Sequence, residues 1–295
     1  VSVTISEALS EARARLLRAS RAIPALEESP RADADLLLGY VLGCTHARLL
    51  AHGSEMVEPE RYEAFTALVE RRATGVPVAY LLGDAGFYGR LFRVDERVLI
   101  PRPETELIIE AVLSDLRLRR GRELRVADIG TGSGAIAVTL ACELPTLRVW
   151  GTDCSADALE VARENALRHG AQERCVFVAG DLAVPLAGLA PFDCVVANLP
   201  YIPTAEVPAA PNPVGYEPNV AFDGGDDGLV LYRRLLWDLP SMLASGASCF
   251  FEAAPPTIDT LAALCERAFP GAYIEIGEDY ASLERYVTVS VEASS

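Results

Sequence analysis

Apolar positions recur at helical spacing through the first ~85 residues, with polar caps between the stretches and few runs that alternate as a strand does. Ser29-Pro30 reads as a helix entry with proline at the first helical position, followed by Leu36, Leu37, Leu38, Val41 and Leu42 as a core face. A later helix is predicted from Pro59 to Arg72, with Tyr62, Phe65, Leu68 and Val69 on one side and Gly75 closing it. Residues 1–83 are therefore expected to form a small helical domain. Between residues 84 and 101 the pattern changes. Phe87-Tyr88-Gly89-Arg90 and Leu91-Phe92-Arg93-Val94-Asp95 suggest a short hairpin linking two domains.

From Arg125 onward, strand-like and helix-like segments alternate, the signature of a parallel α/β sheet. Candidate strands are Val126-Asp128, Arg148-Thr152, Cys175-Ala179, Cys194-Ala197, Ser248-Glu252, Tyr273-Ile276 and Tyr286-Val291. Only Gly277 to Arg285 separates the last two, too little chain for a helical crossover, so they are expected to pair antiparallel. The expected fold class is α/β: a seven-stranded Rossmann-like sheet over residues 102–295, with the helical domain in front.

Composition narrows the class. With 295 residues, 51% hydrophobic and 23% charged, the chain has material for about two domains and no disordered character. No apolar run reaches the ~18 residues of a membrane span, and the first ten residues lack a secretory pattern, so a cytoplasmic protein is expected. Seven well-separated cysteines and three scattered histidines offer no metal-ligand spacing; no metal is expected, and reduced, mostly buried thiols are. All 26 basic residues are arginine, which excludes Schiff-base and Walker lysines. A net charge of −16 disfavours stable nucleic-acid binding. The local exception, Arg117, Arg119, Arg120, Arg122 and Arg125, reads as a solvated helix end rather than an RNA-facing patch.

Candidate chemistry gathers at strand ends. Asp128-Ile129-Gly130-Thr131-Gly132-Ser133-Gly134 lies between a strand and the helix beginning at Ala135, where glycines let the backbone approach a ligand. Asp153 ends the second strand, where a carboxylate accepts from ribose hydroxyls; otherwise it would cap the following helix, a part that Ser155 can also play. After the third strand, Asp181 stands where an adenine amine is accepted and Leu182 where a ring packs. NAD and S-adenosylmethionine both fit this much. Asn198-Leu199-Pro200-Tyr201, at the end of the fourth strand and on the same sheet edge, decides for the latter. Methyl transfer to an amide or exocyclic amine requires the delocalised nitrogen lone pair to be turned toward the methyl group. The side-chain carbonyl of Asn198 and the backbone carbonyl of Leu199 each accept one N–H, Pro200 aims the latter, and Tyr201 forms a flat apolar wall. This assigns Leu199 a role through its backbone carbonyl and none through its side chain.

With those residues in view, the chain resembles the release factor glutamine methyltransferase family. The resemblance rests on Phe87-Tyr88-Gly89, Leu99-Ile100-Pro101-Arg102-Pro103-Glu104-Thr105-Glu106, the glycine loop, the Asn198 motif, Tyr216-Glu217-Pro218, Asp223-Gly224-Gly225 and Asp227-Gly228-Leu229. It implies a class I methyltransferase sheet, S-adenosyl-L-methionine as cofactor, and methylation of the glutamine amide in the Gly-Gly-Gln motif of class I peptide chain release factors. The candidate cofactor set is Asp128, Gly130, Thr131, Gly132, Ser133, Gly134, Asp153, Asp181, Leu182 and Asn198. Asn198, Leu199, Pro200 and Tyr201 form the candidate catalytic and substrate-binding set, joined on the substrate side by Arg102, Pro103 and Glu217. Two positions depart from the family pattern: Leu199 replaces the first proline of Asn-Pro-Pro-Tyr, and Glu252-Ala253-Ala254 lacks the usual glycine. Asn-Leu-Pro-Tyr is also similar to the motif of ribosomal RNA adenine dimethyltransferases, so adenine N6 methylation of RNA or DNA is the alternative. A catalytically silent cofactor-binding protein is a third reading.

Overall fold

The computed structural model describes residues 3–26, 29–119 and 122–292. Two units separate in it, residues 1–84 with 208–217, and residues 85–207 with 218–295.

In the first unit, β1 (Val3–Thr4) leads into α1 (Ile5–Ala19), followed by α2 (Pro30–Leu42), α3 (His46–Ala51), β2 (Met56–Val57), α4 (Pro59–Ala73) and α5 (Val78–Leu82). Thr4 starts α1 through a capping box: its amide donates to the Glu7 carboxylate at 2.8 Å, and the Glu7 amide donates to Thr4 Oγ1. Leu9, Leu16, Leu37, Leu38, Phe65 and Val69 form the core. Leu36, expected on the core face, is 54% exposed, because three consecutive leucines cannot share one stripe of a 3.6-residue helix. A buried ion pair, Arg72 Nε to Asp33 at 2.7 Å, ties α4 to α2.

Residues 208–217 were expected in the α/β domain and instead group with the first unit. The Tyr216 hydroxyl donates to the Thr74 carbonyl at 2.6 Å. At Gly75, φ +103°, a Cβ would stand 2.1 Å from the Pro211 carbonyl oxygen, so glycine is what allows the segment to lie there.

The second unit opens with the predicted hairpin, β3 (Asp84–Phe87) and β4 (Arg90–Arg93), turned by Tyr88 and Gly89, both at positive φ. Then follow α6 (Thr105–Leu118), β5 (Leu124–Ile129), α7 (Ala135–Glu143), β6 (Leu147–Asp153), α8 (Ala156–Arg168), β7 (Cys175–Ala179), β8 (Phe192–Ala197), α9 (Val230–Asp238), β9 (Leu243–Glu252), α10 (Pro255–Ala268), β10 (Tyr273–Glu278) and β11 (Glu284–Ser290). The hairpin, expected as a linker, belongs to this unit because Asn165 of α8 clamps it: the Arg93 amide donates to Asn165 Oδ1 at 2.7 Å, and Asn165 Nδ2 donates back to the Arg93 carbonyl at 3.0 Å.

The seven expected strands form one sheet in the order β10-β11-β9-β8-β5-β6-β7. β7, β6, β5, β8 and β9 are mutually parallel, and β11 runs antiparallel to both β9 and β10, as the short connection required. Alternation within each strand splits the core. Val126, Val149, Cys194 and Phe250 pack under α6, α7 and α8; Ala127, Trp150, Val195 and Phe251 pack against α9 and α10. β9 starts five residues before the predicted Ser248, through Ala244-Ser245-Gly246, which carries no strand signal.

Of the arginine patch, Arg117 is an exposed helix end as expected, whereas Arg119, Arg122 and Arg125 bind back onto the domain. Arg119 donates to the carbonyls of Gly246 (2.7 Å) and Asp193 (3.1 Å), and Arg122 pairs with Asp193. The Arg125 guanidinium lies 4.9 Å from the Trp150 ring centre and donates to the Leu189 carbonyl. Arg120 lies outside the described residues.

Candidate functional site

Strand order reverses between β5 and β8, because β5 continues through β6 to β7 on one side and meets β8 on the other. Ligands bind α/β sheets in the crevice beyond the carboxyl ends of the strands at such a switch point. A cleft of about 540 Å³ lies there. Among its lining residues are Gly130, Gly132, Asp153, Asp181, Leu182, Asn198, Leu199 and Pro200.

The rest of the glycine loop holds that wall in place. Gly130 and Thr131 amides both donate to the Thr152 carbonyl, at 2.9 and 2.8 Å, which fastens the loop to the end of β6. Asp128 is fully buried beneath it, accepting from the Thr131 hydroxyl at 2.6 Å and the Ala137 amide at 3.2 Å. Burial pushes the Asp128 carboxyl up to about 7, against the lowering effect of those two donors. The Ser133 carbonyl accepts from Asn165 Nδ2 at 2.9 Å. Gly134, φ +78°, has Ala162 of α8 at 3.1 Å from where its Cβ would be, so its place in the motif is helix packing. Asp128, Thr131, Ser133 and Gly134 thus stand behind the cleft wall rather than in it.

Asp153 ends β6 with both oxygens engaged: Gly132 N donates to Oδ2 and Ser155 N to Oδ1, each at 2.9 Å. The helix cap is Ser155, whose Oγ accepts from the Ala158 amide at 3.1 Å. Asp153 is therefore fixed in orientation where it lines the cleft. Asp181 is paired with Arg234 of α9, which lines the same cleft, an interaction that the sequence reading did not anticipate.

On the other side, Asn198 Nδ2 donates to Thr105 Oγ1 at 3.1 Å, and the Thr105 hydroxyl donates to Glu252 Oε2 at 2.8 Å. Glu252 closes β9 and is 3% exposed; burial, reinforced by Glu104, pushes its carboxyl up to about 7, while Thr105, Arg285 and Asn198 pull it down. Leu199 corrects the expectation that its side chain is idle. Its amide donates to the Tyr232 hydroxyl at 3.2 Å, its side chain is buried, and Leu199 Cδ2 lies 3.0 Å from the Cβ position of Gly130. Tyr201 does not line the cleft; burial beside Glu252 pushes its phenol up to about 12, so it stays protonated. The glycines of Asp223-Gly224-Gly225 and Asp227-Gly228-Leu229 let that loop fold against this segment: Gly224 N donates to the Ile202 carbonyl at 2.8 Å, and a Cβ on Gly228 would stand 2.2 Å from the Tyr201 oxygen.

Arg102 is partly buried and acts electrostatically on Tyr201, Pro103 is exposed, and neither lines the cleft. Glu217 is buried in the segment that groups with the first unit. Sequence reasoning missed Glu252, Thr105, Tyr232 and Arg234. For Glu252 a signal existed: a lone acid closing the apolar run Cys249-Phe250-Phe251.

Sheet order, glycine loop and strand-end carboxylates together define a class I methyltransferase, an enzyme fold whose cofactor is S-adenosylmethionine. Family models agree, matching a PrmC N-terminal domain over residues 7–83 and a methyltransferase domain over residues 126–212. The release factor glutamine methyltransferase of Moorella thermoacetica is 44% identical over 85% of both chains, and that of Deinococcus radiodurans 38% identical over 96% of this chain and 97% of its own. The chain belongs to the release factor glutamine methyltransferase family. The Thermus thermophilus 16S rRNA N2 G1207 methyltransferase, solved with AdoMet and guanosine, shares the fold at TM-score 0.51 and 17% identity, covering 71% of this chain and 50% of that one. Among the described residues, no helix is long and apolar enough to cross a membrane and no cluster of His, Cys, Asp or Glu could hold a metal.

Proposed function

We infer that this enzyme methylates the side-chain amide nitrogen of a glutamine, that of the Gly-Gly-Gln motif in class I peptide chain release factors. The observation that carries the reading is Asn198: its nitrogen is committed to Thr105, so a carbonyl is what it offers in the cleft wall beside Gly130.

The cleft fits S-adenosylmethionine. Gly132 at φ +53° has nothing within 4 Å of its Cβ position, an open cradle for a ligand against the backbone. Asp153 is held where a ribose diol would donate to it, and Leu182 offers an apolar face for a base. When bound, the cofactor supplies a methyl group on a positively charged sulfur. Asn198 Oδ1 and the Leu199 carbonyl then each accept one N–H of the glutamine amide, which turns the lone pair toward the methyl carbon and stabilises the positive charge growing on nitrogen. Held this way, the amide would need no residue of the chain to remove a proton first, because the nitrogen's extra proton would leave only after transfer.

The helical unit carries no catalytic motif, which supports a part in recognising the release factor. The −16 charge supports a protein substrate over nucleic acid, and translation factors as substrates support a cytoplasmic location. The test is radiolabelled methyl transfer to purified release factor alongside ribosomal RNA. Label recovered as methylglutamine is expected; label recovered in methylated adenine would overturn the reading.

A further inference from the structure

A side-chain amide can present either end to a ligand, and only its partners decide which. Asn198 meets Thr105 and, directly as well as through it, the Glu252 carboxylate. Thr105, at the first turn of α6 and 4% exposed, has a single hydroxyl proton, and the Glu252 carboxylate takes it at 2.8 Å. The Thr105 oxygen is then only an acceptor toward Asn198, which must turn Nδ2 to it, at 3.1 Å. With Nδ2 turned to Thr105, the carbonyl is the end that Asn198 has left for the cleft it lines. We propose that Glu252 and Thr105 are positioning residues which set the orientation of the Asn198 amide, so that its carbonyl rather than its NH2 meets the nitrogen to be methylated. The step from orientation to catalysis rests on the methyl-transfer reading above; the orientation itself does not.

The direction of the chain depends on the charge of Glu252. Ionised, it accepts from Thr105. Protonated, it can donate to Thr105, whose own proton then turns to Asn198 and selects the opposite flip, with NH2 facing the cleft. The groups around the carboxyl are Thr105 and Glu104 from the start of α6, Asn198 and Tyr201 beyond β8, Arg285 on β11 and Tyr232 on α9, whose hydroxyl donates to the Glu252 carbonyl. Burial outweighs the attraction of Arg285, and the carboxyl sits at about 7, inside the range where the switch is readable.

Two measurements on the full chain test this. In the cofactor-free protein, the Asn198 side-chain amide protons, assigned by their loss in Asn198→Ala, are followed by NMR from pH 5.5 to 8.5. They should move with one transition near pH 7 that disappears in Glu252→Gln and is diminished in Thr105→Val, where only the direct contact of Asn198 with Glu252 remains. In single-turnover assays with release factor, Thr105→Val should lower kcat by about tenfold or more with cofactor Kd changed less than about threefold, by analogy with lost transition-state hydrogen bonds, and Thr105→Ser should restore most of it. The wild-type kcat should rise through pH 7, a limb missing from Glu252→Gln. A transition that survives in Glu252→Gln or is undiminished in Thr105→Val, or a Thr105→Val enzyme with wild-type kcat, overturns the proposal. If Glu252→Gln fails to fold, Thr105→Val and Thr105→Ser still decide it. If the NMR coupling is present but no glutamine is methylated, the substrate reading fails and the orientation of Asn198 stands.

Discussion

At Leu199 the family's proline would meet two obstacles. Its amide is a donor to the buried Tyr232 hydroxyl, and proline has no N–H to give; its side chain also fills space against Gly130 that a pyrrolidine ring would leave partly empty. Leu199→Pro should therefore lower stability by about 2 to 4 kcal/mol, from one lost buried hydrogen bond and a partial cavity. Urea unfolding of the variant measures this, and an unchanged midpoint would show that the Leu199 amide is dispensable. A tetrapeptide names Asn198 to Tyr201, yet it says nothing about a phenol at position 232 or a carboxylate at 252. Those partners come from different strands and helices, and nothing local to Asn198 encodes them.

Elements were legible where their patterns are local. The strand cores, the antiparallel end of the sheet and the Tyr88-Gly89 turn follow from alternation, a short connection and a residue pair at positive φ. The docking of the hairpin was not legible, because it depends on one polar residue in the last turn of α8. Asn165 is fully buried and satisfies three backbone groups at once: the Arg93 amide, the Arg93 carbonyl and the Ser133 carbonyl. It joins the hairpin and the glycine loop to a single helix. Asn165→Ala should cost about 3 kcal/mol or more by leaving those groups unpaired. Hydrogen exchange should show the Arg93 amide opening first. Protection of Arg93 at the wild-type level would mean that the hairpin is held by its apolar contacts, Phe87 and Phe92, alone.

Across the whole molecule, acidity and burial act together on stability. Asp128 and Glu252 both sit at about 7 in the folded chain, above ordinary values of 3.8 and 4.5. Between roughly pH 4.5 and 7 the folded protein holds protons that the unfolded chain has released, so stability falls as pH rises through that window and levels off above it. Repulsion within a chain of net charge −16 works in the same direction. The unfolding free energy of the cofactor-free enzyme should drop by on the order of 2 kcal/mol or more between pH 5.5 and 8, and Asp128→Asn should flatten the slope. Denaturant melts at the two pH values provide the check; a midpoint that rises with pH would mean that these carboxyls are ionised at ordinary values. The ionised Glu252 that orients Asn198 is then the less stable form, a function maintained at some cost in stability.

The chain's periodicities by themselves determined a helical first part, a seven-stranded sheet and the sheet edge that carries the glycine loop, Asp153 and Asn198, because each of these is written in spacing along a few consecutive residues. Tertiary structure alone decided that residues 208–217 join the first unit, that the arginine cluster clamps backbone carbonyls, that Asp181 meets Arg234, and that Thr105 and Glu252 stand behind Asn198. Each is a contact between segments far apart in the chain. Its energy comes from burial and from hydrogen bonds that exist only once the sheet has brought the segments together, and no local pattern records it.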